Sequence, residues 1–300
     1  MTTHRWSTAA SPAPAPDPDR TAPDHGAPAH TGSRVSRVLG VVSLIGLGLL
    51  LVLGLLISPA DQTMGDVVRI MYVHVPSAIT AYLAFGITAL GSLLYLLKRS
   101  EFWDTAAAAS AEIGVVFTGL TLVTGSLWGR PTWGTYWEWD PRLTSTALLF
   151  VLFLGYLAVR GIPAERHVRA RRAAIVGLVA FVDVPIVHYS VDWWRSLHQP
   201  ATISKLEPTL DGLMLFTLMT GIVVFLVLFL WMLIHRFRVQ WLEDQVAEGG
   251  LADAIAERRR EAERVDGGGP VSPTTAADTG GAAREAGREE AGREVGRAVR

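Results

Sequence analysis

The sequence predicts an all-α polytopic membrane protein with six transmembrane helices, and three observations carry that prediction. Half of the 300 residues are hydrophobic, and mean hydropathy is +0.30. Charged residues make up only 18% and gather in clumps, where a water-soluble chain of this length would spread them. Six apolar segments, each about long enough to cross a bilayer, follow one another between polar ends. The net charge of −1 averages apolar spans with a charged tail and says little about partners. No basic stripe of the kind that binds nucleic acid is visible. There is no cysteine, which excludes disulfides, thiolate metal sites and thiol chemistry within the chain. Any metal ligand must come from His, Met, Tyr or a carboxylate.

Taken in order, residues 1–33 are rich in Pro, Ala, Asp and Thr, without periodicity or an apolar run. They read as a disordered cytoplasmic tail lacking the h-region of a cleaved signal peptide, with His4, His25 and His30 solvated. A six-helix domain is expected over 34–240. Its first span is Val38–Ile57, twenty residues without a charge. The second is expected over Ser77–Leu97, the third over Thr105–Leu127 and the fourth over Pro141–Val159. The fifth covers Ala173–Val191 and the sixth Gly212–Leu233. Residues 241–300 form a charged cytoplasmic tail, Ala/Glu/Arg-rich and interrupted by Gly267-Gly-Gly-Pro270.

Basic residues beside the spans set the expected orientation. One set of loops carries Arg34, Arg37, Lys98, Arg99, Arg160, Arg166, Arg169, Arg171, Arg172, Arg236 and Arg238. The other carries Arg69, Arg130, Arg142, Arg195 and Lys205. Eleven against five puts both termini in the cytoplasm and the loop between spans three and four on the outer face.

That loop, 128–141, is the most distinctive stretch of the chain. Trp128, Trp133, Trp137 and Trp139 join Tyr136 within it, among Gly129, Pro131 and Gly134, and Asp140-Pro141 closes it. An aromatic belt needs one or two such residues per helix end. Four tryptophans on a turn-rich loop point instead to a platform for a large, flat, apolar ligand. Topology brings two further loops to the same face: Arg69-Ile-Met-Tyr-Val-His74-Val-Pro76 and Asp192-Trp-Trp-Arg195-Ser-Leu-His198-Gln199. Each contributes a histidine near the membrane surface.

A flat apolar ligand beside two histidines suggests haem, whose iron takes imidazole as an axial ligand. His74 and His198 are the candidate ligands, against the alternative that each is an interfacial residue bonded to lipid or backbone. His188 competes from near the end of span five, with Asp183 and Asp192 as polar neighbours. Arg130, Arg142 and Arg195 are candidates for the haem propionates or, equally, for lipid phosphates. Asp140 followed by Pro141 reads as a helix N-cap with proline at the first position, shaping the loop. Glu112 and Asp183 are ionisable groups inside spans; they either pair with polar neighbours or border a pathway. His167 and His235 read as solvated and interfacial residues. No catalytic triad, phosphate loop or hydrolase metal signature is present, so any ATP is bound by another chain.

The stretch from Trp128 to Ser145 resembles the tryptophan-rich "WWD" domain of haem-handling proteins. With Arg69–Ala78, Val123-Thr-Gly-Ser126 and Val191–Gln199, it is similar to the CcmC family, the haem exporter proteins C of cytochrome c maturation. The resemblance runs from about Arg34 to Arg238. It implies a multi-pass protein of the cell inner (cytoplasmic) membrane that holds haem b as cargo, facing the periplasm. Trp128, Trp133, Trp137, Trp139 and Asp140 would form the platform, and His74 and His198 the axial ligands. It further implies delivery to a membrane-anchored periplasmic haem chaperone. The expected partners are ATP-binding cassette ATPase and permease subunits, a small membrane subunit and the lipid bilayer. This is transport and transfer rather than enzyme catalysis. Tyr136 stands where a tryptophan is common in the family, and both tails exceed the family core. Two alternatives stay open: the membrane subunit of a cytochrome c synthase, and a b-type electron-transfer subunit.

Overall fold

The computed structural model describes residues 33–198, 210 and 212–266. The expectations for the N-terminal tail before Ser33, for Gln199, Lys205 and for 267–300 lie outside the described residues. The described chain is helical, and six of its helical stretches are long and apolar enough to cross a membrane. Two compact units are distinguished, residues 1–241 and 242–300.

In the first unit, α1 covers Arg34–Val52, and the Ser33 hydroxyl caps it by accepting from Ser36 N–H at 3.3 Å. Its end loosens into one π turn, Leu53–Ile57. A 3₁₀ turn over Asp66–Ile70 leads into α2, Met71–Lys98. The second span therefore begins six residues before the apolar run expected from Ser77, and His74 sits on a helix rather than in a loop. Pro76 lies inside α2 and withholds the N–H that the Tyr72 carbonyl would otherwise receive. The last helix comes up against that carbonyl through Gly221, where a Cβ would stand 3.0 Å from the oxygen.

Next, α3 spans Glu101–Trp133 and packs closely along α2. Small residues make the approach possible: Ala107, Ala108, Ala109 and Ala111 are fully buried, and a side chain at Gly91 would meet the Trp103 carbonyl. Hydroxyls tie the pair where the backbones meet, Ser110 donating to Ala84 O at 2.8 Å and Thr88 to Ala107 O at 3.2 Å. Gly134, with φ 84°, ends the helix in the left-handed conformation glycine favours, its N–H donating to Arg130 O. The tryptophan stretch is thus helical as far as Trp133, and only 134–140 is irregular.

Helix α4 covers Pro141–Gly161. The fifth span is two helices, α5 (Arg166–Phe181) and α6 (Asp183–Trp193). Pro185 explains the break, since its ring excludes the carbonyl of Phe181 from a regular turn. The final helix, α7, runs Gly212–Asp266, far past the apolar segment that ends at Leu233. The core of the first unit is aliphatic and aromatic, with Phe85 stacked on Phe153 at 3.7 Å.

Ion pairs mark the end of the bundle opposite the tryptophans. Arg160 holds the buried Asp104 carboxylate through two bonds, 2.5 and 2.8 Å, joining α4 to α3. Glu112 is also satisfied. It accepts from the Arg236 guanidinium, with one bond at 3.0 Å, and from Gln240 Nε2 at 2.7 Å. That set ties α3 to α7, which is a structural account of an ionisable residue within a span. His235 bonds the Ser36 hydroxyl at 2.5 Å, and the ring of His167 is exposed. In the second unit, α7 continues as a charged helix, largely exposed over residues 242–261.

Candidate functional site

Chain topology gathers the tryptophan stretch and both candidate histidines at one end of the bundle. His74 lies one turn into α2, half-buried against the last turns of α3. Its Nδ1 is 3.1 Å from the Thr124 hydroxyl, which donates its own proton to Leu120 O at 2.7 Å. The hydroxyl oxygen therefore accepts from His74, placing the ring proton on Nδ1 and leaving Nε2 with a free lone pair. Gly125 makes room for the ring, since a Cβ there would lie 3.1 Å from His74 Cε1. The Trp128 indole stands edge-on to the imidazole at 5.7 Å.

His198 is positioned by a different device. Asp140, 5% exposed, caps α4 as expected by accepting from Arg142 N–H at 3.0 Å. Its other bonds reach across the fold. Oδ1 accepts from Leu197 N–H at 2.7 Å and from the Ser196 hydroxyl at 2.8 Å, and Oδ2 accepts from His198 Nδ1 at 3.0 Å. The Ser196 oxygen in turn accepts from His198 N–H at 3.1 Å. The turn 196–198 hangs on this one carboxylate, which leaves His198 Nε2 unprotonated. Trp133 stands edge-on to this second imidazole at 4.8 Å.

The electrostatics suit a neutral ligand. Burial pushes Asp140 up, but the bonds from Leu197 and Ser196, the His198 charge and the Arg142 N–H outweigh it and hold the carboxyl below its ordinary value. Burial holds His198 below the usual imidazole value, more strongly than Asp140 raises it. At neutral pH the pair is a carboxylate and a neutral imidazole. Each imidazole lies within electrostatic reach of Arg142, and His74 within reach of His198.

The remaining candidates divide. The aromatic rings do not form a single stacked floor: Trp128 serves His74, Trp133 serves His198, and Trp137 meets Trp139 edge-on at 5.7 Å. Tyr136 and Trp139 are exposed, the latter 80%. Arg130 bonds the Gly134 carbonyl and lies over the Tyr136 ring at 5.6 Å. Arg142 donates to His188 O at 3.2 Å, while its Nε is buried without a partner among the described residues. The Trp128 indole N–H is in the same condition. Arg195 is exposed.

His188 does not join the two imidazoles by position. Asp183, Val187 and Ser190 form the buried face of α6, so His188, one residue past Val187, is turned outward onto Tyr189. Asp183 is buried, with Oδ2 unpartnered among the described residues. One positioning residue and one positioning contact escaped the sequence reading. Thr124 lay in view within Val123-Thr-Gly-Ser126, without a role. The link from Asp140 to His198 left no signal, because the two are 58 residues apart.

The family model described as "Heme exporter protein C" matches residues 24–250, the whole of this helical unit and both histidine sites. The chain belongs to the CcmC family. Among curated relatives, heme exporter protein C of Haemophilus influenzae is 41% identical over 212 residues, 70% of this chain and 86% of the relative. That of Escherichia coli K12 is 36% identical over 223 residues, 74% and 90% of the two chains. A putative cytochrome c biosynthesis ccmC-like mitochondrial protein of Arabidopsis thaliana is 39% identical over 176 residues, covering 59% and 66%. The CcmC match and the six apolar helices agree on a membrane-embedded protein.

Proposed function

We propose that this chain binds haem b as cargo at the tryptophan end of its bundle, with His74 and His198 as the two axial ligands. The observation that carries the reading is the shared tautomer. Two imidazoles from distant parts of the chain are each fixed through Nδ1, one by Thr124 and one by Asp140, and each keeps Nε2 for a metal. Among the described residues no group of three or more His, Asp or Glu side chains comes together as a metal site. A porphyrin brings four nitrogens of its own, so its iron needs only two more donors. The residues present fit the group: the buried Trp128 N–H and Arg142 Nε are donors without an acceptor among the described residues, and haem carries two carboxylates. Arg142 is the favoured propionate partner on that ground, with Arg130 and Arg195 as the exposed alternatives. Trp128, Trp133, Trp137 and Trp139 supply the apolar surround, and Tyr136 its exposed rim.

The excess of arginine and lysine at the opposite end of the bundle supports an inner-membrane orientation with both termini in the cytoplasm and this site facing the periplasm. Membership of the CcmC family supports a role in cytochrome c maturation, in which haem passes from this site to a membrane-anchored periplasmic chaperone. The ATP-binding cassette ATPase and permease and a small membrane subunit complete the assembly. The chain's part is transfer, without a catalytic residue of its own.

Absorption spectra of the purified protein test the site. Wild type should show a low-spin Soret band that shifts or vanishes in His74→Ala and His198→Ala and persists in His188→Ala. A spectrum altered only by His188→Ala would overturn the ligand assignment. A wild type that binds no haem, even in excess, would overturn the function.

A further inference from the structure

The two imidazoles are backed by very different groups, and that difference has a consequence for haem release. His198 donates to an ionised carboxylate whose side chain is 2% exposed and which is itself held by three further donors. His74 donates to a neutral hydroxyl at 3.1 Å. A carboxylate acceptor draws the Nδ1 proton away and makes Nε2 a stronger donor to a metal; a hydroxyl does this weakly. The mechanical settings differ as well. His198 belongs to a turn fixed at Ser196, Leu197 and His198 to one anchor, with Trp133 against its ring. His74 stands on a regular helix, with Trp128 edge-on to its ring at 5.7 Å and only Gly125 on the facing turn of α3.

We propose that the ligands are unequal: Asp140 makes His198 the retained ligand, and His74, backed by the neutral Thr124 hydroxyl and by no carboxylate, is the one that lets go when haem is passed on. This rests on the haem site proposed above. In the exchange the Fe–Nε2 bond to His74 breaks and one incoming donor takes the vacated position. The lone pair returns to His74, and no electron changes hands. The acceptor would thus approach from the α2 side of the site, while His198 keeps the haem bound until the new bond forms.

Carbon monoxide is a suitable probe, because it replaces one axial ligand of reduced haem and its Fe–C stretch reports the donor strength of the ligand opposite. The full-length protein is loaded with haem, reduced and exposed to carbon monoxide, and the stretch is read by resonance Raman. The expected result is a shift in Asp140→Asn and none in Thr124→Val. A shift in Thr124→Val alone, in both variants or in neither overturns the ranking. Asp140 also caps α4, so a second comparison avoids altering it. His74→Gly should give the wild-type stretch, since His198 lies opposite the probe in both, whereas His198→Gly should differ. If His198→Gly reproduces the wild type instead, the order is reversed. A wild type with no haem at all removes the underlying site as well, and the spectrum before addition of carbon monoxide distinguishes that failure.

Discussion

Gly125→Ala should separate the stability of this protein from its hold on haem. Alanine inside a helix is favoured over glycine by about 0.5–1 kcal/mol, so α3 should gain slightly. The new methyl would stand 3.1 Å from His74 Cε1, closer than ordinary van der Waals contact, and the ring must withdraw by a few tenths of an ångström. Trp128 edges the ring at 5.7 Å and Thr124 holds Nδ1 at 3.1 Å, already near the long limit for a good N–H···O bond. Lengthening that bond forfeits about 1 kcal/mol of positioning, equivalent to roughly fivefold weaker haem retention. Thermal unfolding of the haem-free protein in detergent and haem loss to a scavenging apoprotein measure the two quantities separately. Wild-type or slightly raised Tm with roughly fivefold faster loss is expected, and Gly125→Leu should abolish low-spin ligation. A fall in Tm with unchanged haem loss would refute the argument, because it would mean Gly125 serves packing rather than His74.

Three further outcomes follow from other parts of the molecule. Arg160→Met should destabilise the fold by about 3–5 kcal/mol by stranding the buried Asp104 carboxylate, while Arg160→Met with Asp104→Leu should recover most of the loss; chemical denaturation of all three decides it. Trp139→Ala should leave Tm within error, since the ring is 80% exposed, and lower haem uptake as read by Soret absorbance; unchanged uptake would remove Trp139 from the site. The third concerns pH. Burial holds His198 below its ordinary value of 6.5, so a proton does not compete for Nε2 until the pH falls below 6.5. Asp140 is held below its ordinary 3.8 and its contribution is present above that value, lost only as pH falls through the lower, folded value. Low-spin ligation should therefore survive titration from pH 8 through 6.5. Loss of half the signal at 6.5 would contradict the burial argument.

Hydropathy reads the thickness of a bilayer, and the helices here exceed it. The six apolar runs were legible, but α2 begins at Met71 and α3 continues to Trp133, through Gly129 and Pro131. Pro131 stands two residues from the end of α3, and the chain breaks only where Gly134 takes φ 84°. Pro185 conversely splits a span that reads as continuous, because it falls where the helix must pass the carbonyl of Phe181. At the site, topology alone was enough to bring His74 and His198 to one end. Their supports were not legible. Asp140-Pro141 announces a cap to the next helix, and nothing local announces that the same carboxylate also receives Ser196, Leu197 and His198 from 56 to 58 residues away.

Both supports nonetheless lie in one continuous stretch. Thr124, Gly125 and Trp128 occupy adjoining turns of α3 and serve His74; Trp133 ends the same helix and Asp140 closes the loop beyond it, and these serve His198. Residues 124–140 therefore act as a single bracket between two histidines that come from distant parts of the chain. A displacement of the end of α3 would move both ligands together, whereas a displacement confined to 134–140 would move only the one held by Asp140. The division predicts which variants are selective. Substitutions in the loop should weaken His198 and leave the His74 tautomer intact, and substitutions on the Thr124 face should do the opposite. A loop variant such as Thr135→Ala, which removes the hydroxyl that donates to Trp137 O at 3.1 Å, makes the distinction measurable. If it perturbs ligation by His74 before ligation by His198, the bracket is not divided as its hydrogen bonds indicate.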